Sequence, residues 1–179
     1  NIDLNKAKYF AGHSLGEYSA LSSAGYLNFA ETINLLRSRG EAMQNAVPKG
    51  EGGMLAVLGS QVENIEKILQ NEDSSSIQIA NDNSDGQIVL SGKNSDLEKL
   101  IQRFKSESIK NIKLPVSAPF HCRLMKNATE MMRSKIENSN FRKTKNILIS
   151  NVTADEISDE EELKKLLVQQ IESRVRWRE

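Results

Sequence analysis

The chain is short of the residues from which several kinds of site are built. It has one cysteine, Cys122, so no internal disulfide can form, and this usage fits a reducing compartment. It has two histidines, His13 and His121, and with Cys122 they stand at separations that match no metal-binding pattern. Neither sign of charge is in excess. Lys+Arg and Asp+Glu balance at 24 each, which removes the electrostatic case for nucleic acid or an anionic membrane. No run of eighteen apolar residues occurs, so no membrane span is expected. Asn1-Ile2-Asp3-Leu4 lacks the basic-then-apolar pattern of a signal peptide, which leaves the sequons at Asn127 and Asn151 without secretory context. The cytoplasm is the expected location. Glycines 50, 52, 53 and 59 form neither a dinucleotide fingerprint nor a phosphate loop, and no Gly-Lys-Ser/Thr is present.

What is present reads as an ordinary globular α/β chain, with 38% hydrophobic and 27% charged residues and a length that suits one domain or a domain with an insertion. Residues 7–11 read as a strand and 15–24 as a helix stopped by Gly25. Asn28 is a good N-cap for a helix to about Asn45, with Phe29, Ile33, Leu36, Gly40 and Met43 as its apolar stripe. Between 52 and 114 the pattern predicts strand 54–58, helix 62–69, strands 77–80 and 87–90, helix 96–104 and strand 109–114. That β-α-β-β-α-β order is the ferredoxin-like unit. Beyond Pro115 and Pro119 a helix is expected from about His121 to Asn138, then a strand over 146–152. A last helix opens at Asp159-Glu160-Glu161-Glu162, with Arg174, Arg176 and Arg178 at its end complementing the dipole. Trp177, at that end, is expected in the core.

Gly12-His13-Ser14-Leu15-Gly16 carries the chemistry. It matches the nucleophile-elbow pattern G-x-S-x-G, in which a serine sits on a tight strand-to-helix turn flanked by small residues. The backbone N–H of Leu15, at the helix start, is then free to stabilise an oxyanion. The plainer alternative is a glycine turn with a capping serine; the strand before it and helix after it favour the nucleophile. His13 adjoins Ser14 and is a poor base for it. His121, at a loop-to-helix junction, is the better partner, and Cys122 beside it reads as a packed thiol. Arg39 borders the apolar stripe of its helix, between Leu35 and Met43. It is either a snorkelling or paired arginine, which spacing alone favours, or a guanidinium that grips a substrate carboxylate.

Taken in order, AGHSLGEYSAL, RSRGEAMQNAVPKGEGGMLAVLG, IANDNSDGQIVLSG, LPVSAPFHCRLM and SNVTA followed by VRW closely resemble the malonyl-CoA:acyl carrier protein transacylase family of bacterial fatty-acid synthesis. The resemblance implies an α/β-hydrolase-like core with a parallel sheet, residues 1–51 and 115–179, interrupted by a ferredoxin-like subdomain at 52–114. It implies Ser14 as nucleophile, His121 as general base oriented by a backbone carbonyl, and Leu15 as an oxyanion donor. Arg39 would pair with the malonyl carboxylate, with Met43 in the same pocket; Asn81 and Asn83 would lie on a loop beside the cleft. That loop has Asp85 where the family commonly has proline. Phe120 before His121 resembles malonyl-type rather than methylmalonyl-type enzymes. The implied partners are malonyl-CoA and acyl carrier protein, with no metal, no cofactor of its own, no nucleic acid, no membrane and a monomeric state. The family's upstream Gly-Gln-Gly segment and its later Gly-Pro-Gly loop have no counterpart here, and the chain does not begin with Met, so truncation at both ends is expected. Two readings stay open beside it: a serine hydrolase with water as acceptor, and a non-catalytic carrier-protein-binding module.

Overall fold

In a computed structural model, which describes residues 3–71 and 76–179, two sheets are flanked by six helices among the described residues. Asn1 and Ile2, read above for a signal sequence, lie outside the described residues. The smaller sheet joins β1 (Tyr9–Phe10) in parallel to β6 (Ile147–Ile149), with β7 (Glu156–Ile157) antiparallel on the far side of β6. The larger has the order β5-β2-β4-β3-β8, formed by β2 (Gly52–Leu58), β3 (Gln78–Ser84), β4 (Gln87–Lys93), β5 (Lys110–Lys113) and β8 (Val175–Arg176). Its first four strands pair antiparallel throughout, and α3 (Val62–Gln70) and α4 (Asn94–Ser106) supply the β-α-β-β-α-β order.

Periodicity explains why these layers close. On α3, Val62 and Ile65 share one face, as do Leu97, Leu100 and Phe104 on α4, and these cover Leu55 and Val57 of β2 and Ile88 and Leu90 of β4. The alternate residues Met54 and Val89 point to the opposite face, where they meet Leu114 and Phe120. That face forms one wall of the site described below. A second core unites α1 (Leu15–Ser23), α2 (Phe29–Gln44), α5 (Lys126–Glu137) and α6 (Glu160–Gln169) around Tyr18, Leu21, Leu35, Met132 and Leu167.

Several expectations shift. The strand expected over 7–11 pairs only at Tyr9 and Phe10, because the chain turns immediately into the Gly12 elbow, and the strand expected over 146–152 ends at Ile149 where a turn begins. No helix starts at His121. Its positive φ of 58° is incompatible with a right-handed helix, so a 3₁₀ turn over Arg123–Met125 precedes α5. Asn28 caps α2 as expected, accepting from the Glu31 N–H. The buried face of that helix, however, carries Thr32, Leu35, Arg39, Ala42 and Met43, while Phe29 and Ile33 are exposed. Arg39 is therefore central to the buried face rather than at its border.

The C-terminal arginines are not a helix end. α6 stops at Gln169, and the residues beyond run as β8, parallel to β3. Asn81 and Asn83 accordingly lie on β3, not on a loop. The strand extends to Ser84 with register shifts at Ile79/Asn81 and Asp82/Ser84. Fully buried Asp82 between them accepts from Arg174 Nη2 at 2.6 Å and from Arg178 Nη2 at 2.9 Å. Burial opposes ionisation of Asp82, but the hydrogen bonds and charges of Arg178 and Arg174 together hold its pKa below the usual carboxylate range.

This clamp fixes the strand that carries Asn81 and Asn83 to the segment that follows α6. Asp82→Ala is expected to lower the unfolding free energy by about 2 kcal/mol, less than the ~3–5 kcal/mol of a wholly buried pair because both guanidinium groups reach solvent. Urea unfolding measures it; a loss under about 0.5 kcal/mol would contradict the clamp.

Candidate active site

Ser14 stands where β1 turns into α1, with φ 55° and ψ −107°, a conformation that favours glycine. The turn is tight enough that a Cβ on Gly12 would lie 1.9 Å from the Gly16 carbonyl oxygen. Gly16 differs from expectation: a Cβ there meets nothing within 4 Å. Only the first glycine of the motif is demanded by close approach. Asn151, in the turn after β6, braces the elbow on both sides; its Oδ1 accepts the Ser14 N–H at 2.7 Å and its Nδ2 donates to the Gly12 carbonyl at 2.9 Å. Leu15 begins α1, so its N–H belongs to the first turn, where backbone donors have no intrahelical acceptor.

His121 comes from the connection after β5. Its Nε2 lies 2.7 Å from Ser14 Oγ, and its Nδ1 lies 2.9 Å from the Gln170 carbonyl oxygen. A carbonyl only accepts, so Nδ1 carries the proton and Nε2 presents its lone pair to the serine. Burial, reinforced by the charge of Arg39, pushes the imidazole pKa down to about 4. The larger sheet holds this turn in place. Ser91 Oγ donates to the Phe120 carbonyl at 2.5 Å, and Gly52 leaves room for Pro119, whose Cγ would lie 2.4 Å from a Cβ there. Cys122 is the packed thiol expected: buried, donating to the Pro119 carbonyl, its pKa pushed up to about 11 by burial.

Arg39 is 7% exposed and enters from α2, its Nη2 donating to Ser14 Oγ at 2.9 Å and to Gln170 Oε1 at 3.0 Å. Its guanidinium lies 5.7 Å from the Tyr18 ring centroid, and burial lowers its pKa. Gln170 Nε2 in turn donates to the Ser14 carbonyl at 2.8 Å and to Glu17 Oε2 at 2.6 Å. A cleft of about 460 Å³ opens over Ser14, Arg39 and His121, walled by Met43, Met54, Asn81, Leu114 and Phe120. Asn83 does not line it; its Oδ1 lies 2.9 Å from His13 Nε2 and so positions a residue that does. Trp177 is not core. It is 44% exposed and packs edge-on against the His13 ring, centroids 5.4 Å apart.

Gln170, Asn151 and Glu17 were not singled out by sequence reasoning. Asn151 lies in the SNVTA segment, whose five residues fit a strand end equally well, and Gln170 follows an amphipathic helix without any motif. Among the described residues no group of three His, Cys, Asp or Glu is placed to hold a metal ion, and no helix is long and apolar enough to cross a membrane.

A serine hydroxyl held to the free nitrogen of a buried, neutral imidazole, beside an unused helix-start N–H, is the equipment of serine acyl-transfer enzymes. The chain belongs to the acyl transferase domain family, which it matches over residues 5–179. It is 40% identical over 174 residues to the malonyl CoA-acyl carrier protein transacylase of Bacillus subtilis, covering 96% of this chain and 55% of that protein. Among solved structures it resembles the acyl-carrier-protein S-malonyltransferase of Bartonella henselae, with TM-score 0.93 and 42% identity over 99% of this chain and 57% of that one. It also resembles a malonyl-transacylase solved in complex with a type II polyketide acyl carrier protein, with TM-score 0.89 and 35% identity over 95% of this chain and 56% of that one. The chain thus spans about half the length of the relatives it matches.

Two outcomes follow from this geometry. Gly12→Ala should destabilise the fold by ~3 kcal/mol or more, whereas Gly16→Ala should leave stability within about 0.5 kcal/mol or raise it; equal effects in denaturant unfolding would contradict the elbow described. Second, the His121 imidazole should stay neutral until the pH falls to about 4, because burial and the Arg39 charge oppose its protonation. A histidine NMR titration with its midpoint at the ordinary value of 6.5 would contradict the buried, Arg39-facing imidazole.

Proposed function

We propose that this chain carries the acyl-enzyme chemistry of a malonyl-CoA:acyl carrier protein transacylase. The observation that carries the reading is Arg39: a buried guanidinium whose Nη2 lies 2.9 Å from the nucleophilic oxygen, inside the cleft where an acyl group on Ser14 must lie. A malonyl group ends in a carboxylate two carbons from its thioester carbonyl, so one planar cation beside the serine grips it by two charge-assisted hydrogen bonds. An acetyl group would leave that buried cation unpaired, a penalty on the order of a few kcal/mol. The relatives' names and the carrier-protein complex support the same substrates and partner.

In the first half-reaction Ser14 Oγ attacks the thioester carbon while His121 Nε2 takes its proton. The tetrahedral oxyanion is stabilised by the Leu15 N–H. The C–S bond breaks, and coenzyme A leaves with the proton returned by His121. In the second, the carrier protein's phosphopantetheine thiol gives its proton to His121 and attacks the serine ester. A C–S bond forms, the ester C–O bond breaks, and Ser14 regains the proton. The Gln170 carbonyl keeps Nδ1 protonated throughout, so no triad carboxylate is needed. Every step is supplied by side chains and backbone, and the reading calls on no cofactor or metal. Met43, Asn81 and Phe120 shape the acyl pocket, and Asn83 acts on it through His13.

In this reading, residues 1–51 and 115–179 form a monomeric, cytoplasmic enzyme's α/β-hydrolase-like core and 52–114 a ferredoxin-like subdomain. The strand order β5-β2-β4-β3 with two crossing helices supports the latter, while β8 ties the core segment to the subdomain's sheet. The hydrolase alternative fits less well: His121 is oriented by a backbone carbonyl rather than a carboxylate, and a carboxylate-seeking cation faces the serine.

Intact-protein mass spectrometry after brief exposure to malonyl-CoA or acetyl-CoA tests the reading. The expected result is a malonyl adduct mapping to Ser14, at least ~10-fold weaker with acetyl-CoA, with that preference abolished in Arg39→Ala. Equal labelling by both, or a folded protein that binds carrier protein with no adduct, would overturn it.

A further inference from the structure

Glu17 is a buried acid that the acyl-transfer steps do not use. It lies on the first turn of α1, three residues after Ser14, and is 2% exposed. Its oxygens accept from Gln170 Nε2 at 2.6 Å and from the Asn151 N–H at 3.3 Å, and both donors also hold the elbow through the Ser14 carbonyl and the Ser14 N–H. The other end of the Gln170 amide accepts from Arg39. One amide therefore separates a carboxylate from a guanidinium, with its N–H turned to the anion and its oxygen to the cation. Arg39 donates to no carboxylate directly, so among the described residues Glu17 is its nearest bonded counter-charge.

Groups from three other elements face Glu17. Arg39 comes from α2, Tyr18 from its own helix, and uncharged Gln170 and Asn151 from the end of α6 and the turn after β6. His121 stands beyond Arg39, on the substrate side. When Glu17 is ionised, one negative charge thus balances the one positive charge of Arg39. A carboxylated acyl group on Arg39 adds a second anion to the same desolvated space, and two anions facing one cation are not both stable there.

Resting on the malonyl reading above, we propose that Glu17 is a specificity-determining residue that yields its charge to the substrate: on the alkaline side of neutrality it is ionised until a carboxylated acyl group docks on Arg39, and it then takes up a proton from solvent. No bond other than the carboxyl O–H forms. Burial already pushes the Glu17 carboxyl up to about 7, so the exchange falls near neutral pH. The proton goes to Oε1, whose contact with Asn151 is the longer one, while Oε2 keeps its bond from Gln170 and the elbow stays braced. A neutral acyl group brings no charge and draws no proton.

The test is the ratio of kcat/KM for Ser14 acylation by malonyl-CoA to that by acetyl-CoA, followed from about pH 6 to 9, in which the coenzyme A phosphates cancel. In the unaltered chain the ratio should fall above about pH 7, approaching ~10-fold per pH unit, and in Glu17→Gln it should be flat. A direct measurement does not depend on the variant's folding. In weak buffer containing an indicator dye near neutrality, acylation by malonyl-CoA should remove a substantial fraction of one proton per ester formed, and acylation by acetyl-CoA none. Malonyl esters that form at Ser14 with a flat ratio and no uptake would overturn this inference alone. The absence of any malonyl ester would overturn the malonyl reading and this inference with it.

Discussion

Gln170 is the residue on which the site depends. Its backbone carbonyl fixes the His121 tautomer, and its side-chain amide simultaneously donates to the Ser14 carbonyl and Glu17 and accepts from Arg39. A primary amide has an acceptor end and a donor end, and only one orientation satisfies all three side-chain contacts. The same residue therefore settles which imidazole nitrogen is basic, where the elbow sits and where the guanidinium points. Nearly the whole of this network is withdrawn from water, which makes each bond in it count for more and makes any unmatched member costly.

Burial also gives the site its chemical bias. An imidazole left in water would be half-protonated near 6.5, whereas here the pKa of about 4 keeps the His121 imidazole neutral across the neutral range. The same desolvation raises the Glu17 carboxyl to about 7 and lowers Arg39. A cation kept in such a place without a direct carboxylate partner is under-satisfied: its Nε, like the Tyr18 hydroxyl nearby, has no hydrogen-bond partner. In the proposed reading an incoming carboxylate relieves that deficit, so affinity and acid specificity would share one physical cause.

Much of this was legible in the sequence. Spacing gave the order of helices and strands across 52–114, since α3 and α4 are strongly amphipathic and the strands between them are short apolar runs bounded by turns. That Ser14 and His121 lie within hydrogen-bonding distance was legible because the elbow pattern is local and His13 adjoins the serine, which leaves His121 as the other imidazole. Arg39 was misplaced by periodicity alone. The apolar residues Phe29 and Ile33 lie on the exposed face of α2, so the stripe pointed about a quarter-turn away from the true one. The arginines after α6 were read as a dipole complement because a charge run beyond a helix looks the same whether it frays or becomes a strand. What decides it is Asp82, almost a hundred residues upstream. Gln170 and Asn151 were invisible for the same reason: their roles are set by long-range contacts, and neither lies within a spacing that local chemistry requires.

The most direct measurement is a crystal structure of the chain trapped as its malonyl-Ser14 ester. The proposed role of Arg39 places the malonyl carboxylate within hydrogen-bonding distance of its guanidinium, with Arg39 released from Ser14 Oγ and Gln170 still spanning His121 and Glu17. An acyl group turned out of the cleft, with Arg39 unmoved and bonded as before to Gln170, would contradict it.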